Sequence, residues 1–300
     1  MRVLVAGREG QVARALLARL PAEGHEVIAL EPPELDLADR ASVFAAAERA
    51  APDLVVNAAA YTAVDRAEDE PERARAVNAE GAGWLAAAAA ARGAPFIHFS
   101  TDYVFDGLKG RPYTEDDAPN PVGAYGATKA EGERLVLAAN PRSVVLRTAW
   151  VCSPHGSNFV RTILRLAQER EELRVVADQH GAPTFAEDLA DAVARIAPRL
   201  PGAPAGDPAF GLFHLCGAPH TTWHGFAGRI LEEAARRGHP RPRLVPIATA
   251  DYPTRARRPP DGRLDCARIG RVHGIAPADW RLSLARCLDV LLGPAGRDAP

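Results

Sequence analysis

The sequence predicts an α/β fold, in which a doubly wound parallel sheet is joined to a smaller, interleaved C-terminal lobe. Short apolar runs alternate with helical patterns through the first half of the chain, which is typical of strand–helix–strand units. These runs are continuously apolar, as expected for strands buried on both faces. A glycine-rich turn follows the first run directly, at residues 7–10.

Five strands and four helices are predicted in the first half. The helix at 12–20 places Leu16, Leu17 and Leu20 on one side, and the long helix at 71–92 can accept Pro71 in its first turn. Right-handed crossovers between parallel strands then put helices on both faces of the sheet. The predicted strands are 3–6, 26–30, 54–57, 96–100 and 144–148, and the predicted helices are 12–20, 42–49, 71–92 and 124–139.

After residue 150 the alternation loosens. Helices are predicted at 158–169, 185–196, 226–237 and 282–292, and strands at 173–177 and 213–216. Residues 198–209 form a Pro/Gly loop, and residues 240–263 are rich in Pro and Arg. We therefore assign residues 1–150, together with 173–200 and 210–217, to a first domain. Residues 151–172 and 218–292 form the second lobe, and residues 293–300 form a tail.

Composition and charge exclude several classes of partner. The net charge of -2 gives no basic excess for nucleic acid, and the longest apolar stretch, 84–91, is too short to span a bilayer. The four cysteines lie far apart in the sequence, and their spacing does not match that of zinc ligands. We therefore predict buried thiols in a reducing compartment. The chain opens on MRVLVAG without a signal-peptide pattern. We predict a cytoplasmic protein with no nucleic-acid or membrane partner and no metal.

The segment at residues 7–13, GREGQVA, is a GxxGxxA form of the dinucleotide fingerprint. Gly7 permits a tight turn, Gly10 lets a pyrophosphate approach the backbone, and Ala13 allows close packing of helix on strand. The free N–H groups at the start of the helix then face the phosphates. The pattern predicts a Rossmann-type cofactor site that includes Gly7, Arg8, Gly10, Gln11 and Val12.

The adenosine end of that site carries opposed charges. Glu31 ends the second strand, where a carboxylate can hold a ribose 2′-OH and disfavour a 2′-phosphate, whereas Arg8 favours the phosphate. We expect NADPH ahead of NADH, with use of both. The further cofactor contacts are predicted at Asp36 and Leu37, beside the adenine, and at Ala58, Ala59 and Ala60, whose small side chains follow the third strand.

A catalytic set is predicted after the fourth strand. Thr101 ends that strand, and Tyr125 and Lys129 share one face of a helix at positions i and i+4. An ammonium group favours the phenolate and lowers the pKa of a tyrosine, which can then protonate a carbonyl oxygen while hydride arrives from a nicotinamide. The chain contains only two lysines, Lys109 and Lys129. Because arginine serves elsewhere, the lysine at 129 favours a catalytic role, with Tyr125 and Lys129 also contacting the cofactor.

Three further motifs occur along the chain: STDYVFDG (100–107), RTAWV (147–151) and DQHGAPT (178–184). Through these motifs the chain resembles the extended short-chain dehydrogenase/reductases, and most closely the dTDP-4-dehydrorhamnose reductase family, over nearly its whole length. These motifs in combination are specific to the family, whereas the glycine pattern and YxxxK fit the wider superfamily.

The resemblance implies an activity: NAD(P)H-dependent reduction of the C4 keto group of dTDP-4-dehydro-L-rhamnose to dTDP-L-rhamnose, in nucleotide-sugar and cell-surface polysaccharide biosynthesis. It implies Thr101, Tyr125 and Lys129 as the catalytic triad and the second lobe as the substrate lobe. Substrate contacts carry over to Val64, Asp102, Tyr103, Trp150, Arg257 and Arg258. Core packing is the alternative for Trp150, and a solvated basic loop is the alternative for the two arginines.

The sequence departs from the family pattern at three positions near the implied substrate site. Cys152 replaces a tyrosine, and Asp261 and Gly262 replace Asn and Ser. The first helix lacks the acidic residue of the metal-bridged dimers in this family, so a monomer or a homodimer without metal is expected. Two other functions stay open: another nucleotide-sugar reductase or epimerase, and a non-catalytic regulatory subunit like that of methionine adenosyltransferase.

Overall fold

The computed structural model describes residues 1–295. Its first half alternates strands and helices as the apolar runs predict. The strands are β1 (Arg2–Ala6), β2 (Glu26–Leu30), β3 (Leu54–Asn57), β4 (Phe96–Thr101) and β5 (Ser143–Thr148), and the helices are α1 (Gln11–Ala22), α2 (Arg40–Ala50), α3 (Val64–Ala67), α4 (Pro71–Arg75), α5 (Ala82–Ala91) and α6 (Ala124–Ala139).

The second half contains shorter strands between longer helices. Its elements are β6 (Val151–Cys152), α7 (Phe159–Glu169), β7 (Glu172–Val176), β8 (His180–Gly181), β9 (Thr184–Phe185), α8 (Ala186–Ile196), β10 (Gly211–His214), β11 (Thr221–Thr222), α9 (Trp223–Ala235), β12 (Arg243–Ile247), α10 (Ala267–His273) and α11 (Trp280–Leu292). Of the helices within residues 1–295, none is long and apolar enough to cross a lipid bilayer.

Six parallel strands form the central sheet, in the order β10-β5-β4-β3-β1-β2. The order in which the chain adds strands reverses between β1 and β3, and sheets of this kind bind ligands in the crevice at that point. Ala6 pairs with both Leu30 and Asn57, and Thr101 pairs with Thr148. The loops that follow these residues therefore leave the sheet along one edge.

Alternate residues of each strand enter two separate cores. On one face Val3 and Val5 pack with Leu16 of α1 and Leu189 of α8. On the other face Leu4 packs with side chains of α2, α5 and α6. This arrangement confirms the predicted doubly wound Rossmann-type sheet.

The second lobe has its own core, built from α7, α9 and α11 around Phe226 and Trp280. β7 pairs in parallel with β12 in this lobe, so the structure divides the segment 173–200 that the sequence assigns to the first domain. Only its α8 part packs against α1. Conversely, Ile269 of α10, predicted in the second lobe, packs into the core beside the main sheet.

The predicted helix at 71–92 is interrupted by a wide, π-helical turn at Ala76–Gly81. Within this turn the Asn78 amide accepts the N–H of Tyr61 at 2.8 Å and donates to the Tyr61 carbonyl at 3.0 Å and to Thr128 at 3.2 Å. The turn therefore joins the loop after β3 to α6, the helix that carries the YxxxK pattern.

Candidate active site

The glycine loop lies at the carboxyl edge of the sheet, between β1 and α1. Gly7 has φ +102°, which favours glycine, and a Cβ there would lie 3.5 Å from the backbone of Ala58 and Ala59. Gly10 caps α1 in extended conformation, and no side chain in the described residues caps that helix. The helix start therefore has N–H groups available for a phosphate, and the site fits a dinucleotide.

The Glu31 carboxylate and the Arg8 guanidinium each bind other groups. The Glu31 carboxylate accepts the backbone N–H groups of Arg8 at 3.1 Å and Glu9 at 3.3 Å. The Arg8 guanidinium donates to the Ala29 carbonyl at 3.1 Å and lies 3.8 Å from Glu34. Both side chains stay beside the loop where an adenosine ribose would lie.

The other predicted cofactor residues have different surroundings. The Gln11 amide oxygen accepts from Ser153 at 3.1 Å and Asn158 at 2.9 Å, so its side chain joins the two lobes. Asp36 accepts the N–H of Ala38 at 2.9 Å, and Leu37 is buried. The remaining predicted cofactor positions, Val12, Ala58, Ala59 and Ala60, are half-buried along the same edge.

Thr101, Tyr125 and Lys129 come together at the end of β4. The Thr101 hydroxyl donates to Asp102 at 3.1 Å and accepts the N–H of Tyr103 at 3.2 Å, and the Tyr103 ring lies against the ring of Tyr125. Lys129 follows Tyr125 by one turn of α6, is 2% exposed, and its Nζ donates to the Phe99 carbonyl at 2.6 Å. The structure thus gathers the three residues that the sequence singles out.

The protonation of Tyr125 differs from the expectation. Burial disfavours the phenolate and the Asp102 charge adds to the effect, so the pKa of Tyr125 rises to about 12. Lys129 is turned toward β4 instead, and its own burial lowers the pKa of its ammonium group to about 8. Tyr125 is therefore protonated at neutral pH, which is the state that a proton donor requires.

Two glycines let α6 approach its neighbours closely. A Cβ at Gly126 would lie 2.1 Å from the Tyr103 carbonyl oxygen, and a Cβ at Gly132 would lie 2.1 Å from that of Asn78. Any larger residue would push α6, and Tyr125 with it, away from the end of β4.

Asp102 and Tyr103 form the floor of the site. Asp102 is 3% exposed, and burial raises its pKa to about 7. The Tyr103 ring meets the Tyr125 ring edge to face, with centroids 5.8 Å apart. Gly262 faces Asp102: a Cβ there would lie 2.2 Å from the Asp102 carboxylate. The departure at Gly262 thus leaves room for this carboxyl group.

The arginine pair divides between two roles. Arg258 forms a two-point ion pair with Asp65, at 3.2 and 2.8 Å, so it links the second lobe to α3 beside the half-buried Val64. Arg257 is exposed, and within residues 1–295 it forms no ion pair. The charge of Asp261 is balanced by Arg263, 2.6 Å away.

Trp150 lies between the lobes, with φ +46°. Its ring stacks on Trp223 at 3.7 Å and covers Gly181, where a Cβ would lie 2.6 Å from the ring. Cys152, two residues on, is buried in the core of the second lobe.

Near the Trp150–Trp223 stack opens a cavity of about 510 Å³. Its lining combines aromatic and aliphatic side chains with four arginines. The lining residues include Phe159, Arg165, Arg170, Arg174, Trp223, Tyr252 and Arg258.

Sequence reasoning missed a buried ion pair behind the site. Arg147 on β5 binds Glu133 on α6 through two bonds, of 2.8 and 2.6 Å, and Ser100 donates to the same carboxylate at 2.5 Å. This network anchors α6 one turn after Lys129. The sequence signal that could have revealed this ion pair is the position of Glu133, four residues after Lys129 on the same helix. Within the described part of the chain, no cluster of three or more His, Cys, Asp or Glu side chains is placed to hold a metal ion.

The chain is similar to known proteins over nearly its whole length. A family model described as the RmlD substrate binding domain matches residues 1–292. A dTDP-4-dehydrorhamnose reductase of Sinorhizobium fredii is 45% identical over 299 residues, covering all of both chains. A crystal structure of a dTDP-4-dehydrorhamnose reductase from Clostridium acetobutylicum is 35% identical with a TM-score of 0.90, over 97% of this chain and 99% of that one. One from Bacillus anthracis, in complex with NADP, is 31% identical with a TM-score of 0.87, over 96% and 98%. With the glycine loop and the Thr101–Tyr125–Lys129 set at one sheet edge, these matches show that the chain belongs to the dTDP-4-dehydrorhamnose reductase family.

Proposed function

We propose that the protein reduces the C4 keto group of dTDP-4-dehydro-L-rhamnose to give dTDP-L-rhamnose, at the expense of NADPH or NADH. The observation that carries the proposal is the gathering of Thr101, Tyr125 and Lys129 at the end of β4, beside a glycine loop that fits a dinucleotide. Family membership at 45% identity over the whole chain supports the substrate.

In the proposed mechanism Thr101 and Tyr125 bind the keto oxygen together. A nicotinamide cofactor held at the glycine loop would supply the hydride that the C4 carbon receives. Tyr125 gives its phenolic proton to the oxygen, so that the C=O bond becomes CH–OH and the tyrosine is left as phenolate. Lys129 lies below the site, and its ammonium form, present at neutral pH because the pKa of the group is about 8, stabilises that negative charge.

The glycine loop, Glu31 and Arg8 are the proposed cofactor residues. The N–H groups at the start of α1 meet the pyrophosphate. Glu31 favours the 2′-OH of NADH, and Arg8 favours the 2′-phosphate of NADPH. We expect use of both with a preference for NADPH, the form related to the ligand bound in the Bacillus anthracis structure.

The cavity beside Trp223 is the proposed site for the nucleotide part of the substrate. Guanidinium groups bind phosphate oxygens in two-point contacts, and Arg258 already lies in the cavity wall beside Tyr103. The aromatic side chains Phe159 and Trp223 offer faces on which a base can stack. Arg257, Asp102, Val64 and Trp150 complete the proposed substrate contacts.

The remaining assignments are proposals of the same kind. We propose a two-lobe organisation, in which residues 1–150, α8 and β10 bind the cofactor and the second lobe binds the substrate. We propose a cytoplasmic monomer or homodimer without nucleic-acid partners.

The activity test is oxidation of NADPH or NADH by the purified protein with dTDP-4-dehydro-L-rhamnose, with the product identified by NMR. Turnover is expected with the wild-type protein, and Tyr125→Phe should lower kcat about 10²–10⁴-fold while cofactor binding, measured by fluorescence, is retained. Turnover only with other nucleotide sugars would refute the substrate. Cofactor binding with no turnover on any of them would support a regulatory subunit instead.

A further inference from the structure

A buried chain of three polar side chains runs behind the site, and two of them, Asn57 and His98, have no role in the mechanism above. It joins Asn57 at the end of β3, His98 in β4 and Lys129 in α6, which are 1%, 1% and 2% exposed. The Asn57 amide nitrogen lies 3.1 Å from His98 Nδ1, and His98 Nε2 lies 3.2 Å from Lys129 Nζ. These groups are sealed from water, so each depends on the others for hydrogen bonds.

The orientation of the Asn57 amide is fixed by the backbone. Its Oδ1 accepts the N–H of Ala59 at 3.1 Å, so the group that faces His98 is the amide NH₂, a donor. His98 Nδ1 must therefore accept. A neutral imidazole has one acceptor and one donor nitrogen, and hence the hydrogen of His98 is on Nε2, directed at Lys129.

This tautomer matters for Lys129 because an ammonium group has only donors. Two donors would face each other if Lys129 were protonated, whereas an uncharged amine accepts from Nε2–H and still donates to the Phe99 carbonyl. The ammonium form of Lys129 avoids this contact between two donors only if the hydrogen of His98 moves to Nδ1 and the side-chain amide of Asn57 flips. The flip leaves the Ala59 N–H without its acceptor. The protonation of Lys129 is thus coupled to two side chains on neighbouring strands.

We propose that His98 is a positioning residue for Lys129: Asn57 holds it as the Nε2–H tautomer, and that hydrogen favours the uncharged amine of Lys129. The inference rests on the proposed function, since it names the residue that sets the protonation of the catalytic lysine. His98 itself stays neutral, because burial and then the Lys129 charge hold its pKa well below the usual range.

The charged groups around Lys129 do not replace this effect. Glu133 on the same helix raises the pKa of Lys129, but its carboxylate is paired with Arg147 of β5. Asp102 and Tyr125 lie at the cleft end. Among the other elements against α6, α4 and the π-helical turn carry Arg75 and Glu80, which pair with each other at the surface, and Arg75 also pairs with Glu131.

The small number of lysines makes the proposal directly measurable. Protein labelled with ¹³C at lysine Cε gives signals from Lys109 and Lys129 alone, and Lys109→Arg assigns them. The reference residue, Lys109, is half-buried, lies outside the site and pairs with Asp117. In Asn57→Asp the carboxylate can only accept, so His98 must carry its hydrogen on Nδ1 and offer Nε2 as an acceptor. The titration midpoint of Lys129 should then rise by about one pH unit or more, and that of Lys109 should stay.

A second variant background separates the effect of the added charge on Lys129 from the effect of the His98 tautomer. In His98→Phe, the Asn57→Asp change adds the same charge without an imidazole, and the rise at Lys129 should be smaller. An equal rise in both backgrounds, or no rise with His98 present, would overturn the proposal.

A measurement on the wild-type protein needs no variant to fold. Long-range ¹H–¹⁵N correlation reports the tautomer of each histidine, and His98 should be Nε2–H above the midpoint of Lys129. Finding Nδ1–H there would overturn the proposal. These measurements use no substrate, so they stand apart from a failure of the proposed reaction; in the active enzyme, the basic limb of kcat/KM should shift with the Lys129 midpoint.

Discussion

Gly126 is the residue where one added carbon should do most damage to the site without touching a reacting group. A Cβ at this position would lie 2.1 Å from the Tyr103 carbonyl oxygen and 2.9 Å from its carbon. Carbon and oxygen normally approach to about 3.3 Å, so α6 and the Tyr103 backbone must separate by roughly 1 Å. Tyr125, the preceding residue, would move with the helix.

The expected cost of Gly126→Ala follows from that displacement. A misplacement of about 1 Å can lower the rate about 10²-fold, and overpacking of this kind costs about 1–3 kcal/mol of stability. The better helix propensity of alanine offsets about 0.5–1 kcal/mol of it. We expect kcat/KM to fall about 100-fold and Tm to fall by several degrees, measured by NADPH oxidation and calorimetry, while NADPH still binds.

The matched control is Gly228→Ala in α9. There the new Cβ would meet only the Leu244 side chain, at 3.6 Å, which is an ordinary contact. Activity should be unchanged and Tm equal or higher. If Gly126→Ala retains the kcat/KM and Tm of the parent protein, the close approach of α6 does not position Tyr125, and our reasoning is refuted.

Two further predictions concern charge. Glu31→Ala should move the kcat/KM ratio toward NADPH and Arg8→Ala toward NADH, because the two side chains lie at the same loop with opposite sign; an unchanged ratio in both variants would contradict this assignment. Burial raises the pKa of Asp102 from 3.8 to about 7, so between these values the folded protein holds a proton that the unfolded chain has lost, and this group makes stability fall as pH rises. In Asp102→Asn this loss of stability, on the order of a few kcal/mol across that pH window, should be absent. The Tm of the variant should therefore differ less between the two ends of the window than the Tm of the parent protein does. Equal differences in the two proteins would disprove the prediction.

Part of the site could be predicted from the sequence because the patterns that indicate it are formed by residues close together in the chain. The continuous apolar runs identified the five strands of the first half, since strands buried on both faces need apolar side chains throughout. Tyr125 and Lys129 were found because residues four apart share a helix face, and Thr101 because it ends a strand.

Other elements were missed or placed wrongly because their reason is distant in sequence. The strand Arg243–Ile247 was missed because it lies in a segment rich in Pro and Arg, and it forms by pairing with Glu172–Val176. The π-helical turn at Ala76–Gly81 depends on Asn78 reaching Tyr61 and Thr128. No local pattern indicates that the Gln11 side chain binds Ser153 and Asn158 of the second lobe.

The sequence by itself determined the sheet, the glycine loop and the three residues that we propose to be catalytic, because continuous apolar runs and helix spacing are properties of residues close together in the chain. The protonation of those residues was decided only by the tertiary structure. The prediction that Lys129 lowers the pKa of Tyr125 assumed that neighbours on a helix face act on each other. In the folded protein β4 places His98 and the Phe99 carbonyl at Lys129 Nζ, and burial governs Tyr125, because desolvation depends on everything packed around a group rather than on its neighbours in sequence.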